Sequence, residues 1–253
     1  MIFAILLMPS TTGRAAAPDL GRLFAERGVE GTIVIEALDG RTAYVHNPAR
    51  AAQRFLPAST FKIPHSLIAL AEGAIADEYE VIPWDGKDRG FSGWNQDQTL
   101  ATAFRRSCVW AYQELAGRVG NAAYLRHLAR LDYGNARTGP NLRTFWLDGD
   151  LAISVREQIT FLRKLYQEDI PYPKEHIRIV KAIMVVEETP GYILRAKTGW
   201  AVRPERQHGW YVGWVETRGH VWFFATNIAI REKSDAVYRE EITRAALTMA
   251  GIM

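Results

Sequence analysis

The amino-acid sequence predicts an α/β protein of the α+β type, with a mixed, mainly antiparallel sheet built from both chain ends and a helical subdomain inserted between them. Strand patterns near both ends are the first observation: residues 31–38 alternate, and residues 191–197, 209–216 and 220–228 are rich in aromatic and β-branched side chains. The second observation is the region between them, about 59–187, where apolar residues recur at helical spacing.

The elements follow from local signals in chain order. Asp39-Gly40 is typical of a hairpin turn, which predicts a second strand over residues 42–46. Arg218-Gly219 marks a turn between the last two strands, and a closing helix is predicted over residues 234–250. Apolar spacing in the inserted region predicts helices over residues 60–72, 100–117, 122–131, 154–168 and 175–186. A cleft between the sheet and the helical subdomain is the expected site.

Composition limits the possible functions. With 253 residues, 48% of them hydrophobic, the chain fits one large domain with a full core. The formal net charge is only +3 and the Lys and Arg residues are scattered, so no nucleic-acid partner is expected. The 6 histidines lack the spacing of a zinc site, which predicts no metal, and the single cysteine, Cys108, forms no internal disulfide.

The first residues resemble a signal peptide. Residues 2–8 form a short apolar run, and a tract of small residues follows at 15–17. The run is far shorter than the about 20 residues that span a bilayer, so no permanent membrane anchor is expected. We therefore predict a signal peptide over residues 1–17, periplasmic localisation and a single folded domain over residues 18–253. A disordered N-terminal tail is the alternative.

The first chemical motif is Ser59-Thr60-Phe61-Lys62, at the start of a predicted helix. The spacing places Ser59 and Lys62 on one helical face, one turn apart, with the amine within reach of the hydroxyl. Serine is a weak nucleophile that needs an adjacent base, and a helix N-terminus offers N–H groups to a developing oxyanion. Taken alone, the pair is more typical of a chance spacing or of a serine that caps a helix.

The second motif is Lys197-Thr198-Gly199, followed by Trp200, at the end of a predicted strand. A strand-borne lysine and threonine can bind a carboxylate, and the glycine lets a substrate approach the backbone closely. An S-x-x-K motif followed by K-T-G is the signature of penicillin-recognising serine enzymes. Together the two motifs predict acyl transfer through Ser59.

The third motif, Ser107-Cys108-Val109, stands where class A β-lactamases and many penicillin-binding proteins have S-D-N or S-x-N. An apolar Val109 near Lys62 would help to desolvate the lysine and disfavour its charged form. No E-x-x-L-N stretch supplies the glutamate base of class A enzymes, so the base must come from elsewhere.

From about residue 31 to residue 250 the sequence resembles the class D, OXA-type beta-lactamases. Further stretches in family-like order are Tyr133-Gly134-Asn135, the third family box, and Trp84-Asp85-Gly86, Phe145-Trp146-Leu147 and residues 112–116 and 209–216. Taken alone, Trp146 is typical of a core aromatic and Tyr133-Gly134-Asn135 of a turn. Because these residues occur together with the other motifs, a functional role for them is favoured.

The resemblance implies that Lys62 takes up carbon dioxide as a carbamate, which is the general base in acylation and deacylation, with no other cofactor. It implies that Trp146 binds this carbamate, that Ser107 relays a proton to the substrate nitrogen, and that the backbone N–H groups of Ser59 and Trp200 form the oxyanion hole. The substrate is expected to contact Val109, Lys197, Thr198, Gly199, Trp200 and Arg239.

Three positions leave questions open. Arg239 resembles the arginine that binds the substrate carboxylate, but Arg231 lies nearby in sequence and is the alternative. His65 stands where an asparagine is often found in the family, and Trp200 where a smaller aromatic can occur. These departures bear on substrate range and not on reaction type.

The resemblance implies hydrolysis of the β-lactam ring of penicillin-type antibiotics through a serine acyl-enzyme, which confers resistance. The rival from another class is a sensor domain of a β-lactam receptor, which is acylated but barely deacylates. Such receptors carry a long membrane-embedded N-terminal region that is not expected here, and Val109 disfavours a transpeptidase. A small-molecule β-lactam is the expected partner. The sequence leaves open monomer or homodimer, and whether carbapenems or bulky cephalosporins are substrates.

Overall fold

The structure, a computed structural model, describes residues 18–253. The signal peptide predicted over residues 1–17 lies outside the described residues. Strands near both chain ends form a six-stranded sheet in the order β2-β1-β10-β9-β8-β7, and every pairing in it is antiparallel. Its strands are β1 (Gly31–Ala37), β2 (Ala43–His46), β7 (Val185–Glu188), β8 (Tyr192–Ala201), β9 (His208–Thr217) and β10 (His220–Ala229).

Strand β1 pairs along its whole length with β10, from Gly31 opposite Ile228 to Ala37 opposite Trp222. The first strand is therefore held by the last, and the prediction of a mainly antiparallel sheet built from both chain ends is confirmed. Two short ladders lie outside this sheet and pair β3 (Arg54–Phe55) with β6 (Ile153–Ser154), and β4 (Val81–Ile82) with β5 (Gln98–Thr99).

Helices cover both faces of the sheet. On one face, α1 (Leu20–Ala25) and α9 (Tyr238–Met249) pack apolar side chains against Ile33, Ile35 and Phe224. On the other face lies the larger core of the inserted helices. These are α2 (Pro48–Ala52), α3 (Lys62–Ala71), α4 (Leu100–Arg105), α5 (Val109–Val119), α6 (Asn121–Leu131), α7 (Val155–Gln167) and α8 (Lys174–Ile183). Two 3₁₀ turns, Ala58–Phe61 and Lys233–Val237, precede α3 and α9.

Three predicted elements differ from the structure. The helix predicted over 100–117 is broken between α4 and α5, where Ser107 adopts a φ of +54° that apolar spacing does not signal. The helix predicted over 175–186 ends at Ile183, because β-branched Val185 and Val186 begin the edge strand β7, in which Val185 pairs with Arg195. The closing helix begins at Tyr238, after the 3₁₀ turn.

Candidate active site

A cavity of about 450 Å³ lies between β8 and the inserted helices. Its polar wall contains Ser59, Ser107, Thr198 and Arg239, and its apolar wall includes Phe91 and Trp94. The other lining residues are Val109, Leu147, Gly199, Trp200, Val202 and Arg203. The three motifs, which are spread over residues 59–199 of the sequence, thus meet at one surface.

Ser59 is held in the 3₁₀ turn directly before α3. The turn is unusual because Ala58 has a φ of +48°, a region that residues other than glycine seldom adopt. Two hydrogen bonds to backbone carbonyls hold this segment. Ala58 N–H donates to the carbonyl of Trp146 at 2.9 Å, and the Trp210 indole donates to the carbonyl of Leu56 at 2.9 Å. Ser59 therefore lies on a strained backbone turn that its surroundings hold in place.

Gly199 allows β8 to pack against this turn. A Cβ atom at Gly199 would lie 3.1 Å from the carbonyl oxygen of Pro57 and 3.1 Å from Cγ2 of Thr60. The sequence assigned this glycine to close approach of a substrate. The structure adds that the missing side chain makes room for the backbone that carries Ser59.

Lys62 is fully buried, and its Nζ lies 3.1 Å from Ser59 Oγ. The amine also lies over the ring of Tyr112, 4.9 Å from the ring centroid. Burial lowers the pKa of Lys62 from its ordinary value to about 7, because the buried site disfavours the charged form. A large fraction of Lys62 is then a neutral amine at neutral pH.

Trp146 lies next to α3 and is also fully buried. Its ring stacks on Phe61, with centroids 5.9 Å apart, and meets His65 edge-on at 5.1 Å. Its Nε1 is buried and finds no hydrogen-bond partner among the residues that the structure describes. A buried donor without a partner costs about 1–3 kcal/mol, so a ligand or modification that accepts this hydrogen bond would be stabilised.

Lys197 connects the sheet to the inserted helices. Its Nζ donates to Ser107 Oγ at 2.8 Å, to the carbonyl of Thr198 at 3.0 Å and to Thr198 Oγ1 at 3.3 Å. Burial lowers the pKa of Lys197 well below its ordinary value, and the positive charges of Lys62 and Arg239 lower it further. The left-handed backbone of Ser107 lets it both line the cavity and meet this lysine.

Tyr133-Gly134-Asn135 does not line the cavity but braces the segment that carries Trp146. Asn135 Nδ2 donates to the carbonyl of Asp150 at 2.6 Å, and Asn135 Oδ1 accepts from the N–H of Ala152 at 3.0 Å. Gly134 has a φ of +58°, and a Cβ there would lie 2.2 Å from the Ala152 carbonyl oxygen. Tyr133 is buried against Phe61, with ring centroids 5.8 Å apart.

The two candidate arginines lie in different places. Arg239 lines the cavity, and its side chain is 15% exposed. Burial lowers its pKa, and a Cβ at Gly209 would lie 3.2 Å from its Cδ, so the glycine makes room for the stem. Arg231 is exposed and lines a separate depression beside Arg50. The geometry therefore favours Arg239 for contact with a substrate.

Sequence reasoning missed several residues around the cavity. Phe91, which is 59% exposed, and Trp94 form an aromatic pair with ring centroids 4.7 Å apart. A large aromatic within the polar stretch 85–97 was a usable signal. Arg203, which lines the cavity, pairs with Asp148. No signal in the sequence pointed to this pair.

The described residues contain no group of three or more His, Cys, Asp or Glu side chains that could hold a metal ion. Within the same part of the chain, no helix is long and apolar enough to cross a membrane. What the site offers is a serine hydroxyl beside a buried amine, with a second serine and lysine opposite. The fold and this site define a serine enzyme of the penicillin-recognising class, and residues 31–248 match the family described as penicillin binding protein transpeptidase domain.

Comparison with known proteins narrows the class. The chain is 46% identical over 238 residues to Beta-lactamase OXA-2 from Salmonella typhimurium, covering 93% of this chain and 85% of the relative. It is 44% identical over 230 residues to Beta-lactamase OXA-48 from Klebsiella pneumoniae, covering 91% and 87%. The class D beta-lactamase YbXI from Nostoc superposes with a TM-score of 0.91 at 43% identity, covering 93% of this chain and 99% of that one. The chain belongs to the class D beta-lactamases, which confirms the resemblance drawn from the motifs.

Proposed function

We propose that this chain hydrolyses the β-lactam ring of penicillin-type antibiotics through an acyl-enzyme on Ser59, and so confers resistance to them. The observation that carries the proposal is the 3.1 Å contact between Ser59 Oγ and the buried Lys62 Nζ. A base within hydrogen-bond reach of the nucleophile is what activation of a serine requires. Membership of the class D family supports the same reaction.

We further propose that Lys62 carries carbon dioxide as a carbamate. Two features of the chain fit this group: Lys62 has a pKa of about 7, so its amine is available for carboxylation, and Trp146 Nε1 is a buried donor without a partner in the described residues. When bound, the carbamate would supply the general base. Burial of Lys62 and Trp146 excludes the water that would otherwise compete for these donors.

The other residues of the cavity bind and orient the substrate. Because Lys197 Nζ donates to Ser107 Oγ, the hydroxyl proton of Ser107 is free to be donated to the substrate nitrogen as the ring opens. Thr198 and Arg239 face the same cavity and are suited to bind the substrate carboxylate. The backbone N–H groups of Ser59 and Trp200 are the proposed donors to the oxyanion.

Steady-state hydrolysis of nitrocefin by the purified chain tests the reaction. We expect continuous turnover, and intact mass spectrometry with a slow substrate should show one adduct that is lost in Ser59→Ala. A single burst without turnover would assign the chain to the sensors, and an adduct that persists in Ser59→Ala would show that another residue is the nucleophile. Degassing at mildly acidic pH should abolish activity and added bicarbonate should restore it, whereas indifference to both treatments would contradict the carbamate.

We propose that the chain is exported to the periplasm by residues 1–17. The short apolar run and the small residues that follow it support this proposal. Fractionation of cells that express the full chain, with the intact mass of the product, tests it. A cytoplasmic product that retains residue 2 would contradict export and leave the proposed reaction untouched.

A further inference from the structure

The aromatic surroundings of Lys62 contain a buried histidine that the proposed mechanism does not use. His65 lies three residues after Lys62 in α3, on the same face of the helix, and is fully buried. Its ring meets the ring of Trp146 edge-on, with centroids 5.1 Å apart, and that of Tyr112 edge-on at 4.9 Å. Tyr112 is the residue whose ring lies against Lys62 Nζ. His65 thus contacts both Tyr112, which packs against the amine, and Trp146, the proposed partner of the carbamate.

A hydrogen bond to Tyr124 fixes the state of this histidine. Tyr124 Oη lies 2.5 Å from His65 Nε2, and both side chains are fully buried. Burial lowers the pKa of His65 well below its ordinary value and raises that of Tyr124 well above its own, so both groups are neutral at neutral pH. A single proton lies between the two atoms.

The direction of that hydrogen bond follows from counting unsatisfied atoms. If Tyr124 donates to Nε2, the proton of His65 sits on Nδ1. In this arrangement the Nδ1 proton is the only donor of the two side chains without a partner among the described residues. If His65 donated instead, both Nδ1 and the phenol proton would lack partners. Each unsatisfied buried group costs about 1–3 kcal/mol, so the first arrangement is favoured. Tyr124 therefore selects the tautomer with the proton on Nδ1.

We propose that the Tyr124–His65 pair is a positioning device for the lysine base: Tyr124 orients the His65 ring, and the ring fixes Trp146 beside Lys62. His65 is accordingly a positioning residue and not a catalytic one. The inference rests on the proposed carbamate, whose partner is Trp146. The chain also contains a matched pair elsewhere, since His127 Nδ1 lies 2.6 Å from Tyr172 Oη, with neither residue in the cavity wall.

The test compares Tyr124→Phe with Tyr172→Phe, which each remove one phenol hydroxyl from a buried histidine. Carbon-13 NMR with labelled bicarbonate measures the affinity of Lys62 for carbon dioxide, and nitrogen-15 NMR reports the tautomer of His65. We expect Tyr124→Phe to weaken carbon dioxide binding about tenfold, with KM unchanged and with kcat restored by excess bicarbonate. Tyr172→Phe should bind carbon dioxide within about twofold of the parent. Equal affinities in the two variants would overturn the inference.

A double variant separates positioning from a merely structural role. His65→Asn is a suitable background, because asparagine is often found at this position in the family. If Tyr124 acts through His65, then Tyr124→Phe should have no further effect on carbon dioxide affinity once His65 is replaced. An additive effect would overturn the inference. A parent protein without any carbamate signal would instead contradict the proposed carbamate itself, which keeps the two failures distinguishable.

Discussion

Two serine–lysine pairs face each other across the cavity, and they are built differently. Ser59 and Lys62 lie on one helical turn, with Oγ and Nζ 3.1 Å apart. Ser107 and Lys197 are ninety residues apart in sequence and meet at 2.8 Å only because the sheet packs against the inserted helices. A serine–lysine contact thus forms once through local helical spacing and once through tertiary packing.

The surroundings of the two amines fit the different roles proposed for them. Burial lowers the pKa of both lysines. Lys197 Nζ donates to three oxygen atoms, whereas Lys62 Nζ has one hydrogen bond in the described residues and otherwise faces the ring of Tyr112. A carboxylate that binds beside Lys197 raises its pKa, because an opposite charge favours the protonated amine. The amine of Lys62, with its single hydrogen bond to Ser59 in the described residues, remains available as the proposed base.

The largest expected effect tests this division between the lysines. Lys62→Ala should lower kcat by about 10²- to 10⁴-fold, the contribution of a general base, and bicarbonate should not restore it. Lys197→Ala should slow acylation and raise KM but leave the deacylation rate unchanged, because Lys62 and not Lys197 is the proposed base of that step. Single-turnover kinetics with a chromogenic penicillin separate the two steps. An equal loss of the deacylation rate in both variants would contradict the different roles proposed for the two lysines.

Replacement of Lys62 should raise the stability of the fold although it lowers activity. The folded-state pKa of about 7 lies below the ordinary value of 10.5, so between these pH values the unfolded chain binds a proton that the folded chain does not. Burial of Lys62 therefore destabilises the fold, fully at and below pH 7 and progressively less towards pH 10.5. At about 1.36 kcal/mol for each pKa unit, Lys62→Met should raise the free energy of unfolding by several kcal/mol at pH 7.

Thermal unfolding in bicarbonate-free buffer measures this gain, since about 1 kcal/mol corresponds to about 2–4 °C for a chain of this size. The gain should shrink as the pH rises towards 10. Lys197→Met is the matched control and should gain less, because it also removes three hydrogen bonds, one to Ser107 and two to Thr198 within β8. A Lys62→Met variant that melts below the parent at pH 7 would show that the buried amine is not destabilising.

The difference between the pairs also explains how much the sequence could predict. Ser59 and Lys62 are visible because helical spacing is a local property, and the strands that carry Lys197 are visible from their composition. The contact between Lys197 and Ser107 was not accessible to spacing, and the family resemblance implied only that each of them acts on the substrate. Ser107 itself sits at a φ of +54°, where apolar residues at helical spacing continue on both sides and conceal the break between α4 and α5.

The packing roles of individual residues could not be predicted from the sequence either. Gly134 reads as a turn residue, but the position also excludes a side chain because the carbonyl of Ala152 approaches it. Arg231 and Arg239 could not be separated by sequence, since the choice depends on which one passes Gly209 into the cavity. Such facts concern residues distant in sequence, so local patterns carry no trace of them.

A smaller effect is expected at Trp146, which supports the Lys62 side of the comparison. Trp146→Phe keeps a buried aromatic ring against Phe61 and His65 but removes the Nε1 donor, which has no partner in residues 18–253. Loss of one hydrogen bond to a charged group costs about 1.5–3 kcal/mol, which predicts deacylation slowed about 10- to 100-fold and partly restored by bicarbonate. Acyl-enzyme should accumulate in rapid-quench mass spectra. Trp210→Phe, which removes an indole donor to the Leu56 carbonyl, controls for the loss of a buried indole and should not respond to bicarbonate.

The smallest expected effect lies on the Lys197 side, at Arg239. Its guanidinium faces the cavity from α9, and a carboxylate contact made equally in the ground and transition states contributes uniform binding. Arg239→Ala should therefore raise KM about tenfold, the equivalent of about 1.4 kcal/mol, with little change in kcat and none in bicarbonate dependence. Arg231→Ala is the matched control, because this arginine is exposed in a separate depression. A KM shift in Arg231→Ala alone would assign the carboxylate to the other arginine, and a kcat loss in Arg239→Ala would mean that the contact tightens in the transition state.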